Sequence, residues 1–268
     1  RDMAAQHDAT HGGFGTAPKF PQAMSLDVLA RAVARPGGEA PGPPRRSTGE
    51  DEAPAPPGGS TGDGHNNGDG EAAAGGATGP DLRLVLESSL DAMASGGIYD
   101  HLGGGFARYS VDRQWVVPHF EKMLYDQSGL VRLYLHGLLV TGHERYRQVV
   151  EETVDYVLRD LRRDGGGIAS AEDADSLDEH GHSEEGAFYT FTPDEVRSIL
   201  GDAGLGDVAD EALAFWELDR PANFEGRWIP VRTHHRGDWD RSPTVESARQ
   251  ALFDARAQRP RPGLDDKV

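Results

Sequence analysis

Apolar positions recur at helical spacing over most of the chain. Met24, Val28 or Leu29, and Ala32 share one face of a predicted helix over 24–33. Leu82, Val85 or Leu86, Leu90 and Met93 repeat the spacing, and Gly96-Gly97 stops that helix. The longest apolar pattern runs over 119–140, where Leu124, Leu130, Leu133, Tyr134, Leu138 and Leu139 cover much of the circumference and predict deep burial. Thr141-Gly142 closes it. Tyr146, Val149 or Val150, Val154, Val157 and Leu161 then form one stripe of a helix over 143–162, so the two long helices predict an antiparallel hairpin. Further helices are predicted at 193–200, with Thr192 as N-cap and Pro193 in the first turn, at 207–217 and at 244–258. Gly186-Ala-Phe-Tyr-Thr-Phe-Thr and Arg227-Trp-Ile-Pro-Val read as short strands decorating an all-α frame.

One tract departs from this pattern. Residues 36–80 consist mostly of Gly, Pro, Ala, Ser, Thr and acidic residues, which bury too little apolar area to offset their ordering entropy. They read as a disordered insertion within one domain, because the flanking helical segments can pair across it. The tract also lowers the apolar share to 37%, so the remainder of the 268 residues still supports a sizeable core. The net charge of −18 excludes a nucleic-acid partner and disfavours an anionic membrane surface. With no cysteine, disulfides, thiolate catalysis and Cys-based zinc sites are excluded, which suits a cytoplasmic protein. No 18-residue apolar run predicts a membrane span. The ends, Arg-Asp-Met and Leu-Asp-Asp-Lys-Val, read as those of a piece of a longer chain.

Four loops carry candidate chemistry. His11-Gly-Gly-Phe-Gly-Thr-Ala-Pro-Lys-Phe-Pro lacks the Gly-Lys-Ser/Thr ending of a phosphate loop. Gly97-Ile-Tyr-Asp-His-Leu-Gly-Gly-Gly-Phe-Ala-Arg-Tyr-Ser-Val-Asp repeats the theme of a histidine, glycines and an aromatic. Trp115-Val-Val-Pro-His-Phe-Glu-Lys-Met-Leu-Tyr-Asp-Gln places His119, Glu121, Tyr125 and Asp126 in the first two turns of a helix predicted to start behind Pro118. Ala171-Glu-Asp-Ala-Asp-Ser adds carboxylates, with His180, His182 and Glu184 behind it. Carboxylates, imidazoles and aromatics together suit a sugar, whose C–H faces pack on rings and whose hydroxyls need polar partners. Paired carboxylates point to glycoside chemistry, and paired histidines to proton abstraction beside a carbonyl; the residues alone leave both open. Plainer readings stand beside these: glycine turns, a capping His119, a Glu121 favoured by the helix dipole, a solvated acidic loop. The acidic loop lacks the EF-hand spacing, and His180 with His182 lacks a third zinc ligand at a recognisable spacing, so no metal and no cofactor are expected.

These four motifs, in this order, resemble the spermatogenesis-associated protein 20 family, whose bacterial members are called thioredoxin domain-containing proteins. The likeness spans about residues 8–268 apart from the insertion. It implies a thioredoxin-like domain in the full-length protein and an (α/α)6 toroid, similar to those of N-acylglucosamine 2-epimerases, cellobiose 2-epimerases and six-hairpin glycosidases. The expected architecture of 1–268 is therefore part of one such toroid, built of helical hairpins with a few short strands. The insertion departs from the family pattern, and the roughly seven predicted helices fall short of the twelve of a complete ring. No catalytic residues of the epimerases carry over, because the motifs here are not theirs.

Two functional expectations follow. In the first, the toroid binds and isomerises, epimerises or hydrolyses a sugar-like small molecule. His119 and His101 are then the acid–base candidates, and Glu121, Asp126 and Asp173 their carboxylate partners. Tyr99, Arg108, Tyr109, Trp115, Phe120, Tyr125, Glu172 and Asp175 wall the site or grip hydroxyls. In the second, the domain is a non-catalytic module that positions the thioredoxin-like domain or binds a protein partner. A third, duller expectation has the same motifs simply packing the domain's centre.

Overall fold

The computed structural model describes residues 4–35, 81–178 and 180–265. The insertion predicted at 36–80 lies outside them. Seven α-helices are present among the described residues: α1 (Ala23–Val33), α2 (Leu82–Ser95), α3 (Leu124–Thr141), α4 (Arg145–Tyr156), α5 (Pro193–Asp202), α6 (Ala209–Phe215) and α7 (Pro243–Arg256). Local chemistry sets several of their ends. The Asp81 carboxylate caps α2 by accepting the Arg83 and Leu84 N–H groups. Gly142, at φ 76°, closes α3 in the left-handed region. Thr192 and Glu195 form a reciprocal capping box on α5, with Pro193 opening the helix.

Two helical cores result. Leu26, Leu86, Leu90, Met93, Leu130, Leu133, Tyr134 and Tyr146 are buried between α1, α2, α3 and α4. Val196, Leu200, Leu213, Trp216, Ala248 and Leu252 are buried between α5, α6 and α7. Each buried leucine, valine or methionine among them contributes about 1.5–3 kcal/mol of burial free energy. Asp27 of α1 reaches Arg132 and His136 of α3, and Ala23 lies against Gly129, so α1 and α3 run side by side in the same direction. Leu90 packs on Gly137 while Arg83 reaches the Thr141 carbonyl, so α2 and α3 are antiparallel. Among the described residues, no helix is long and apolar enough to cross a membrane.

The frame is mostly helical, with a few short strands as expected. Short antiparallel strands join the loops: β1 (Tyr109–Ser110) with β2 (Pro118–His119), β3 (Lys122–Met123) with β4 (Ala171–Glu172) and β4 with β7 (Leu264–Asp265), and β5 (Asp175–Leu177) with β6 (Ser183–Glu185). This changes the longest predicted helix. It begins at Leu124, not behind Pro118, because 118–119 and 122–123 spend their backbone groups on β1 and β4. His119 and Glu121 therefore lie on an extended segment, and only Tyr125 and Asp126 occupy the first helical turn. The helix predicted over 143–162 is α4 followed by a π turn at Val157–Leu161. The strands predicted at 186–192 and 227–231 reduce to one bridge, in which Phe191 and Trp228 exchange bonds of 3.0 and 2.9 Å.

Candidate functional site

The glycine-rich loop after α2 folds back on itself. Asp100 N–H donates to the Gly105 carbonyl, Gly104 N–H to Asp100, and Ala107 N–H to Ile98. Gly104 and Gly105 have positive φ and lie against Glu152 and Tyr156, where a side chain would collide. The turn drives Asp100 into the interior. Its carboxylate accepts both terminal nitrogens of Arg256 at 2.8 Å, Lys122 Nζ at 2.9 Å, and the Leu102 and Gly103 N–H groups at 3.0 Å. Burial alone would raise this carboxyl, but the Arg256 and Lys122 cations overcome it and hold it well below the usual range.

Lys122 is itself buried, between the rings of Tyr156 and Tyr189. Glu172 completes the group, accepting the Tyr156 hydroxyl at 2.8 Å and the Tyr189 hydroxyl at 3.2 Å. Burial, then the Glu172 charge, push both phenols well above 10. The interior thus sets Asp100 and Glu172 against Lys122 and Arg256, with Arg261 reaching Glu172 at 3.4 Å from a half-exposed position. His101 Nε2 lies 3.0 Å from the Gly96 carbonyl, and burial lowers its imidazole to about 4, so it is a neutral donor at physiological pH. The cavity beside Tyr99, His101, Phe120 and Lys122 measures only about 20 Å3. That admits about one water and no sugar ring.

A second cluster lies nearer the surface. His119 Nδ1 is 2.8 Å from Glu185 Oε1, and the same oxygen accepts the Phe120 N–H at 3.1 Å. An ionised carboxylate only accepts, so Nδ1 carries a proton. Nε2 faces Glu121 Oε2 at 3.7 Å, and Glu121 in turn accepts Arg108 at 2.8 Å. The Tyr109 ring stacks on His119 at 5.0 Å, and Phe20 packs on Tyr109 at 4.9 Å. Asp126 stands beside Arg108 and Glu121 with its Oδ2 buried and unpartnered. Burial pushes its carboxyl up to about 6, against Arg108 and with Glu121.

The structure therefore divides the predicted site residues. Arg108, Tyr109, His119, Glu121, Tyr125 and Asp126 gather in the outer cluster. Tyr99, His101, Phe120 and Glu172 belong to the interior. Trp115 is fully buried, with φ 71°, its indole N–H donating to the His11 carbonyl and the Lys19 ammonium over its ring. Asp173 and Asp175 are exposed and line neither cavity, Asp175 pairing opposite Glu185. Asp100 and Lys122 were within the quoted motifs but gave no signal, being hidden beside His101 and Glu121. Glu185 and Arg256 are brought in from distant segments and had none to give.

A mostly helical domain whose β-paired loops carry a buried ion network and an outer cluster of titratable side chains is the class these observations define. No protein-family model matches the chain. It is 32% identical to an uncharacterized protein of Caenorhabditis elegans over 286 residues, covering 97% of this chain and 34% of that protein. It is 39% identical to human spermatogenesis-associated protein 20 over 207 residues, covering 67% of this chain and 26% of the relative. The rat protein of that name is 50% identical over 218 residues, with 79% and 22% covered. The chain belongs to the spermatogenesis-associated protein 20 family. It spans 22–34% of the length of these relatives.

Proposed function

We propose that this chain is the carbohydrate-handling part of an (α/α)6 toroid, with the outer cluster as its acid–base site. The observation that carries the reading is His119. Glu185 orients it through Nδ1, Tyr109 stacks on its ring, and Nε2 faces Glu121 beside an unpartnered carboxyl. A histidine oriented by a carboxylate, with a second carboxyl of raised pKa nearby, is an arrangement that can take and return a proton. Phe20 and Tyr109 offer ring faces for the C–H surface of a sugar. The parallel run of α1 and α3, each packed against an antiparallel partner, supports stacked hairpins of the toroid kind. The interior network around Asp100 and His101 acts in this reading as the support of the site, not as its floor.

The test is a sugar panel against the intact protein, read by thermal shift and turnover. Wild type responds to a sugar, and His119→Ala loses turnover while keeping its unfolding temperature. A His119→Ala protein that binds and turns over sugars like wild type sinks the assignment.

The closed interior favours a second reading. A cavity of only about 20 Å3 lined by a buried ion network suits a non-catalytic module that positions a thioredoxin-like domain or holds a protein partner. In that case no sugar shifts the intact protein, and a cysteine-trapping variant of the thioredoxin-like domain captures partners.

A further inference from the structure

A groove between α1 and the first turns of α3 adjoins the outer cluster. It measures about 610 Å3, and Phe20, Met24, Tyr125, Arg108 and Arg132 are among its walls. Its charge is layered. The Arg108 and Arg132 side chains are 40% and 50% exposed, whereas the carboxylates that pair with them, Glu121 and Asp27, are 19% and 5% exposed. Asp27 is also shared: it takes Arg31 at 3.0 Å and His136, which leaves Arg132 a looser contact at 3.5 Å. Asp126 is an acidic wall of the groove, partly buried beside Arg108, so the more exposed charges there are the two guanidinium groups, on a chain whose net charge is −18. Gln22 supplies no side-chain cap to α1; the Ser25 and Leu26 N–H groups donate to its carbonyl, and Ala23 and Met24 of the first turn are walls of the same groove. The rings of Phe20, Tyr109 and His119 then lead in series from the groove to the acid–base pair.

We propose that this groove holds the phosphate of a phosphorylated sugar-like ligand, between Arg108 and Arg132, with the sugar lying over Tyr109 toward His119. The inference rests on the carbohydrate reading above and narrows its substrate class. Guanidinium groups match phosphate oxygens with paired donors.

Calorimetric titration of the intact protein tests it, using hexose phosphates, the matching free hexoses and inorganic phosphate. The phosphorylated form of a bound sugar should be at least about tenfold tighter than the free sugar, the worth of one charge-assisted contact. Arg132→Gln should erase that preference and Arg132→Lys should restore part of it. Met24→Glu, at a position 76% exposed, should abolish phosphate binding without moving the unfolding temperature. Equal affinity for free and phosphorylated sugar overturns the phosphate subsite and leaves the carbohydrate reading standing. Inorganic phosphate bound through Arg132 with no sugar bound supports the subsite and overturns the carbohydrate reading. Binding of none of the three overturns both.

Discussion

Glu185 and His119 are joined at 2.8 Å although 66 residues separate them, and the same carboxylate oxygen holds the Phe120 N–H. Glu185 thereby ties the β5–β6 hairpin to the extended segment between β2 and β3. The pair is partly exposed, at 28% and 41%, so its ionic component is worth little. The backbone bond is the larger share. Glu185→Ala should lower stability by about 1 kcal/mol, measured by urea unfolding, and should free the His119 ring to rotate off Tyr109. Nuclear magnetic resonance of the His119 ring protons, which lose their ring-current shift in that event, gives the second readout.

Asp100 is the keystone of the interior. Replacing it by Asn leaves Lys122 and Arg256 buried without their shared counter-charge, which should destabilise the protein by about 3–5 kcal/mol. Adding Lys122→Met removes one of the stranded cations, so the double variant should be more stable than Asp100→Asn alone. Chemical unfolding of the two single variants and the double variant closes the cycle. If the losses simply add, Asp100 and Lys122 do not act as one unit.

How much of this could be read from the chain is clear at particular residues. The helices were legible because Leu90, Leu130 and Leu133 obey a period that burial enforces. The face read for α1 was only half right: Leu29 and Ala32 are buried, Met24 and Val28 are exposed, and Leu26 is buried in their place. Leu139 of α3 is exposed as well. The start of α3 was not legible. Pro118 is compatible with a helix start, and only the pairing of His119 with Tyr109 and of Lys122 with Glu172, long-range contacts invisible to a local pattern, holds the segment extended. The outer cluster was half legible, since Arg108, His119, Glu121 and Asp126 lie in two motifs of unusual polarity. Glu185 was not, as an acidic residue on an otherwise solvated hairpin. His101 and His119 looked equivalent in sequence, and burial separates a neutral interior donor from a histidine held near the surface by Glu185.

His101 should make the protein acid-sensitive. Its folded value is near 4 and its unfolded value near 6.5. The unfolded chain therefore binds more protons between these values, and stability is complete above about 6.5 and declines as pH falls toward 4. The decline from this residue amounts to about 3 kcal/mol. His101→Gln, which keeps a donor for the Gly96 carbonyl, should flatten the profile across that window. An unchanged slope in urea unfolding between pH 4.5 and 7 would assign the sensitivity elsewhere.

Asp126 should behave in the opposite sense. Its folded carboxyl titrates near 6, above the unfolded value near 4, so the native state holds the extra proton. The associated stability is fully present below about 4, is lost as pH rises through 6, and is absent at neutral pH. Solvent screening at this partly exposed position leaves a cost of about 1–2 kcal/mol for the ionised form. Asp126→Asn should therefore stabilise the protein by about that amount at pH 7.5 and by nothing at pH 4, as urea unfolding at the two values will read. A residue that weakens its own fold at working pH is one retained for another reason, and in the carbohydrate reading that reason is proton transfer beside His119. The same substitution should then abolish the alkaline limb of the pH–rate profile in the intact protein while leaving ligand affinity within about threefold, a change of under 1 kcal/mol. Loss of affinity with the limb intact would make Asp126 a ligand-gripping group and leave the proton transfer to His119 alone.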